Sequence, residues 1–301
     1  MLFGSSLKLI MIDILRLLRV KQWVKNTFIF FPLLFSGQFL DQTLLINCSL
    51  TFVGFCLISS SVYLFNDLFD HKADRLHPKK SKRLLSQGSL NPTNIWLSIF
   101  LLLTIGLLIC QKVGGLVIFA ALAYVICNIC YNLYAKRIVI LDVIFIAVGF
   151  QLRVWAGAFA AATMPSVWLQ MCVFLLALFL GFTKRRHEIS TLKDKASEHR
   201  SVLAHYTSYL LDQIIIICST LAIVFYGLYT ISPDIISRTG NQKMVYSVAF
   251  VIYGIFRYLY LVHVKKLGDD PGEVLFSDFP LLISILLWIG YVAVLIYIPR
   301  S

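Results

Sequence analysis

Asp67, Asp70 and Asp74 stand at i, i+3 and i+7 in the stretch Asn66-Asp67-Leu68-Phe69-Asp70-His71-Lys72-Ala73-Asp74, which leaves a long apolar run. On a helix they fall within an arc of about 60°, so all three can point at one spot. Like charges held that close repel and need compensation. The fitting compensator is a divalent cation of the magnesium type, which takes carboxylate oxygens and commonly bridges them to phosphates. Arg75, His77, Lys79, Lys80, Lys82 and Arg83 come next, and Pro78 ends or breaks the helix, so these residues form a loop able to fold back over the metal. Metal on one edge and Lys or Arg on the remaining oxygens suit a diphosphate. The plainer reading, a solvated mixed-charge loop, explains single lysines more easily than it explains periodic acids.

Two further clusters share this charged character. Tyr131, Asn132, Tyr134, Lys136 and Arg137 precede Asp142, and Arg153 follows Asp142 by eleven residues. Three helical turns put Asp142 and Arg153 on one face, an acid near the mouth and a cation deeper in. Tyr131 and Tyr134 fit an interfacial aromatic belt equally well. Lys184-Arg185-Arg186-His187-Glu188 leaves another apolar run, with Glu188 within ion-pair reach of Lys184. Arg200, His205 and Tyr206 are weaker candidates, and Asp278 is placed to cap the last apolar helix. The six histidines have no zinc spacing, no G-x-x-x-x-G-K phosphate loop occurs, and seven cysteines scattered in apolar runs form no disulfide framework.

The elements that must position these residues are membrane spans. Of 301 residues, 59% are hydrophobic and only 14% charged, and the mean hydropathy is +0.81. A soluble chain has too little interior to hide so much Leu, Ile, Phe and Val. Apolar stretches long enough to cross recur at 24–40, 46–65, 94–111, 115–132, 139–158, 167–183, 211–230, 243–262 and 279–298. The expected fold is all-α, a polytopic membrane bundle of nine transmembrane helices. Pro32, Gly37 and the polar Asp41-Gln42 break leave the first stretch little length, and Gln151 and Arg153 must face protein or a cavity. Of 27 Lys and Arg residues, 21 fall in connections, or for Lys25 at a span edge, on the side that holds the N-terminus, which places the N-terminus and the charged loops in the cytoplasm. Residues 1–23 read as a basic amphipathic segment and 24–301 as one transmembrane domain.

The order Arg19-Val20-Lys21-Gln22-Trp23-Val24-Lys25-Asn26, then Asn66 to Asp74 running into His77-Pro78-x-Lys80, Tyr131 to Asp142, Gly149-Phe150-Gln151-Leu152-Arg153 and the KRRHE element resembles the UbiA-type intramembrane prenyltransferases. Within them it is most similar to the polyprenyl-phosphate phosphoribosyltransferases, the decaprenyl-phosphate type among them. That resemblance implies a ring of nine helices around a cavity open to the cytoplasm and to lipid. It implies Mg2+ held by Asp67, Asp70 and Asp74, with Asp142 as the acid of a second catalytic region. Lys25, Asn66, Lys80, Arg83, Tyr131, Lys136, Arg153, Lys184, Arg185 and Arg186 are the implied substrate contacts. Arg83-Leu84-Leu85 departs from the Arg-Pro-Ile-like sequence usual there, although the arginine is kept.

The implied reaction joins a polyprenyl phosphate to phosphoribosyl diphosphate and releases pyrophosphate, as in arabinan-precursor synthesis for a bacterial cell wall. It would run at the cytoplasmic face of the inner or plasma membrane. The alternative is transfer of a polyprenyl group from its diphosphate to an aromatic acceptor, which wants the same acids and Mg2+ but fewer cations. Membrane lipid is an expected partner and nucleic acid is not; homo-oligomerisation stays open. A transporter would need polar residues at midplane in several spans, and here they are sparse.

Overall fold

The computed structural model describes residues 18–75, 92–192, 201–240, 242–268 and 271–298. Among them all regular structure is helical. A 3-10 segment, Val20–Phe30, leads into α1 (Phe31–Phe35). There follow α2 (Gln42–Arg75), α3 (Pro92–Val113), α4 (Gly115–Leu133), α5 (Leu141–Ala160), α6 (Val167–Leu192), α7 (Ser208–Thr230), α8 (Pro233–Thr239), α9 (Val248–His263), α10 (Pro271–Ser277) and α11 (Phe279–Tyr297).

Eight described helices are long and apolar enough to cross a membrane, and they coincide with the last eight expected spans. The first expected span, 24–40, does not join them. It is a composite, because Pro32 at the start of α1 offers no N–H to an α-helix running through, and Gly37 at φ 78° turns the chain. At about 2.0 Å per 3-10 residue and 1.5 Å per α residue, Val20–Phe35 still reaches roughly 30 Å, the depth of a hydrocarbon core.

Asp41 starts α2 by accepting the backbone N–H groups of Thr43 and Leu44 at 2.9 and 3.0 Å. Nothing in the following sequence breaks the helix before Arg75, so its 34 residues extend about 50 Å. That exceeds a bilayer core and carries Asp67 and Asp70 beyond the apolar stretch. Consecutive helices pack side by side around a circuit. Tyr297 at the end of α11 closes it, donating to the Leu34 carbonyl at 2.7 Å and accepting from the Phe39 N–H at 3.0 Å.

Inside this circuit α2 and α5 are the most enclosed spans, 61% and 56% buried, while α3, α4 and α11 turn Phe100, Leu101, Phe119 and Leu286 outward as a lipid-facing surface should. Small residues permit the tightest contacts. A Cβ on Gly157 of α5 would fall 1.9 Å from the Ile29 carbonyl oxygen, so the composite segment lies directly on that helix. A Cβ on Gly106 of α3 would lie 2.8 Å from the Gly54 carbonyl of α2.

Candidate active site

Asp67 and Asp70 lie one turn apart on α2, and each carboxylate faces a cation from a different element. Both oxygens of Asp67 take the Arg19 guanidinium, the Oδ2 contact at 2.6 Å. Asp70 Oδ1 accepts from Lys136 Nζ at 2.7 Å. Lys136 belongs to the 3-10 turn Ala135–Arg137 that follows α4. Asp74 continues on α2, and its side chain, like Lys80 and Arg83, lies outside the described residues.

Arg19 is fixed from several sides. Its backbone adopts φ 50°, its guanidinium stacks over the Tyr63 ring at 5.2 Å, and the neighbouring Leu18 carbonyl accepts from Ser60 Oγ at 2.6 Å. Trp23 Nε1 donates to the same Ser60 hydroxyl at 3.0 Å. The sequence Arg19 to Asn26 is therefore stitched along α2, from Arg19 at Asp67 down to Asn26 at Ser59 and Cys56, about two to three turns below.

Asn26, Tyr124 and Arg153 form a buried set deeper in the bundle. Arg153 is 4% exposed, donates through Nε to Asn26 Oδ1 at 2.7 Å, through Nη1 to the Gly149 carbonyl at 2.8 Å and through Nη2 to Tyr124 Oη at 2.9 Å. Its guanidinium also stacks on Tyr124 and Phe150 at 4.6 and 5.4 Å. Arg153 faces protein, as its cost in lipid demands, and ties the composite segment to α4 and α5. Gln151 meets the same demand by donating to the Gln170 carbonyl.

Asp142, expected as a catalytic acid, is fully buried with both oxygens engaged. Arg185 Nε donates to Oδ2 at 2.6 Å and Tyr206 Oη to Oδ1 at 2.7 Å. Arg185, 1% exposed, also binds Glu188 at 2.8 Å. Tyr206 accepts in turn from the Ile140 N–H at 2.7 Å, holding that β-branched residue at φ 70° where α5 begins. Burial and the Asp142 carboxylate push the Tyr206 phenol well above its ordinary range. This knot joins α5, α6 and the turn Ser201–His205. Asp142 and Arg153, expected on one helix face with the acid near the mouth and the cation deeper in, lie three turns apart on α5, and each has its own partners.

Arg186 pairs with Asp212 of α7 at 2.8 Å. Lys25, Tyr131 and Lys184 are half-buried and each is engaged with neighbours, Tyr131 within electrostatic reach of Arg185. Asp278 caps α11 through the Leu281 N–H at 2.9 Å and binds Arg257 at 2.8 Å. The described side chains thus collect Asp67, Asp70, Lys136, Tyr131 and the Asp142–Arg185 knot at one end of the bundle. Residue type and spacing name Tyr206 only as a weaker candidate and give no role to Arg19, Asp212 or Tyr124, although Arg19 opens the motif that carries the family resemblance. Each is a partner supplied from a distant segment, and only the placement of Tyr206 after a charged loop hinted at a role.

Residues 28–277 match the UbiA prenyltransferase family. The chain belongs to that family. Decaprenyl-phosphate phosphoribosyltransferase of Mycolicibacterium smegmatis is 28% identical over 94% of this chain and 92% of its own length. The enzyme of the same description from Corynebacterium glutamicum is 28% identical over 94% of this chain and 86% of its own. Among solved structures, a UbiA homolog from Archaeoglobus fulgidus bound to GPP and Mg2+ superposes with a TM-score of 0.70 at 20% identity, covering 94% of this chain and 99% of that one. The protein is therefore an integral membrane protein of the UbiA fold and a member of a transferase family.

Mg2+ fits the residues that this UbiA chain presents. Asp67 and Asp70 supply hard oxygen ligands one turn apart, and Asn66 Oδ1 beside them is buried with no hydrogen-bond partner. A buried acceptor without a donor is costly, and a cation or a donor on a bound substrate would satisfy it. Among the described residues no third acid joins Asp67 and Asp70; Asp74, the third acid expected on this helix face, has its side chain outside them.

Proposed function

We propose that the protein transfers a 5-phosphoribosyl group from phosphoribosyl diphosphate to a polyprenyl phosphate, releasing pyrophosphate, at the end of the bundle that carries Asp67 and Asp70. The observation that carries the reading is the pairing of two acids on one helix face with cations from two other elements, Arg19 and Lys136. Such a charge-dense, nearly balanced site suits a metal with a polyanion. The names of relatives matched along nearly the whole chain support the donor and the acceptor.

Asp67, Asp70 and, by helical phase, Asp74 would hold Mg2+, which when bound supplies charge neutralisation to the diphosphate as it leaves. Lys25, Lys136, Lys184 and Arg186, with Lys80 and Arg83 of the following loop, would meet the phosphate oxygens of donor and acceptor, and Tyr131 and Asn66 would flank them. An acceptor phosphate oxygen attacks the anomeric carbon as its bond to the diphosphate breaks and the electron pair leaves with pyrophosphate. The acceptor is already an anion at neutral pH, so the site must align and neutralise rather than remove a proton. In this reading Asp142, Arg153 and Arg185 position the walls instead of touching the reacting atoms. The polyprenyl tail would lie in an apolar groove between spans, and the site would face the cytoplasm from a bacterial plasma membrane.

The test supplies purified protein with radiolabelled phosphoribosyl diphosphate, a polyprenyl phosphate and Mg2+. Label is expected in the organic phase. No label there, with prenyl transfer from polyprenyl diphosphate to an aromatic acid instead, would overturn the reading in favour of an aromatic acceptor.

A further inference from the structure

Asp67 and Asp70 together carry two negative charges, and Arg19 and Lys136 return two positive ones. The four groups are neutral as a set. A divalent cation added to them leaves net positive charge, two from these four groups and one if Asp74 joins them, in a partly buried place, where the Asp67 and Arg19 side chains are only 8% and 20% exposed. A diphosphate arriving with the metal removes that excess. Arg19 is no wandering surface side chain, since Tyr63 stacks beneath it and Ser60 and Trp23 fix the backbone around it. A metal that uses Asp67 must compete with a guanidinium engaged with both oxygens, and a phosphate is the partner best matched to the fork that is displaced.

We infer that Arg19 is a charge-exchange residue that holds Asp67 in the metal-free protein and yields it only to a metal accompanied by diphosphate. It thereby makes the two ligands bind cooperatively. This inference rests on the proposed metal site at Asp67 and Asp70. Coupling of this kind is reciprocal, so the metal strengthens diphosphate binding by the same factor as the diphosphate strengthens the metal's. A protein built this way does not fill its site with metal alone, and pyrophosphate leaves together with the metal charge that held it.

The experiment titrates full-length protein in lipid nanodiscs with Mn2+, read by its electron paramagnetic resonance signal, with and without inorganic pyrophosphate. Arg19→Gln is expected to bind Mn2+ alone about tenfold tighter than the parent protein, because one competing charge is gone. The gain that pyrophosphate brings should shrink in the same variant. Arg19→Lys, which keeps the charge, should stay near the parent. Ser60→Ala leaves every charge in place but loosens the clamp on Leu18, and should shift Mn2+ affinity in the same direction by a smaller factor, which covers the case of an Arg19→Gln protein that does not fold. Unchanged or weaker Mn2+ affinity in Arg19→Gln or, if that fails to fold, in Ser60→Ala, while Asp67→Asn abolishes Mn2+ binding, overturns the inference and leaves the metal site standing. Absence of Mn2+ binding to every form, even with pyrophosphate, overturns both.

Discussion

Asp67 and Asp70 have the most direct consequence at the level of single residues. Asp67→Asn or Asp70→Asn should lower transfer on the order of 100-fold or more in kcat while membrane insertion stays intact, measured in the radiolabel assay. Asp142→Asn acts differently, because it strips a charge from a fully buried pair and leaves Arg185 with less compensation than it was built for. It should destabilise the protein by about 3 kcal/mol, read as a fall in the thermal unfolding midpoint, before it alters any substrate constant. Asp278 provides the pH signature. The Arg257 hydrogen bond, aided by the cap to Leu281, holds its carboxyl below the usual range. A carboxyl depressed in the folded state contributes stability above its unfolded pKa and loses it as pH falls through the folded value. Asp278→Asn should therefore lower stability near neutrality and flatten the acid side of the curve, so that variant and parent converge at low pH. The sequence made the phase of Asp67 and Asp70 readable because helical phase is local. Their partners were not readable, since Arg19 lies 48 residues from Asp67 and Tyr206 lies 64 from Asp142, and packing alone brings such pairs together.

Among the elements, the composite segment departs most from its expected form. Length and hydropathy announce an apolar stretch there, but Pro32 divides it, and no composition rule says that the first part winds as a 3-10 helix. Its placement depends on Gly157, whose missing side chain admits the Ile29 carbonyl. Gly157→Val should push this segment off α5, break the Asn26–Arg153 hydrogen bond and lower stability by about 3 kcal/mol or more, since overpacking and an unsatisfied buried arginine act together. Arg153→Met tests the arginine alone. If packing can close around Met, stability should change less than in Gly157→Val, and a larger loss would mean that the guanidinium does more than tie segments together. The eight long helices were legible because each is a sustained apolar run with little to interrupt it. Gly54 and Gly106 set how closely α2 and α3 approach, a role that only the packed helices reveal.

At the scale of the whole molecule, one-sided charge implies an orientation. With 21 of 27 Lys and Arg residues in, or at the edge of, one set of connections, single cysteines at Arg137 and Lys112, in a background without the native cysteines, should react from opposite faces of sealed vesicles. Reagent added inside a cell-like orientation should reach position 137 and spare 112. Metal dependence belongs to this scale too, because the acids, Lys136 and Arg19 come from three separate parts of the circuit. Chelation should abolish transfer, and Mg2+ with pyrophosphate should raise the unfolding midpoint well above either ligand alone.

The 3-10 winding of Val20–Phe30 has a mechanical corollary. Eleven residues rewound with the shallower advance of an α-helix would shorten by roughly 5 Å, more than the reach of a single hydrogen bond. With Ile29 seated against Gly157, that contraction would be taken up at the other end, where Arg19 sits. The pitch of this one short coil thus serves as a ruler for whether an arginine can touch an aspartate.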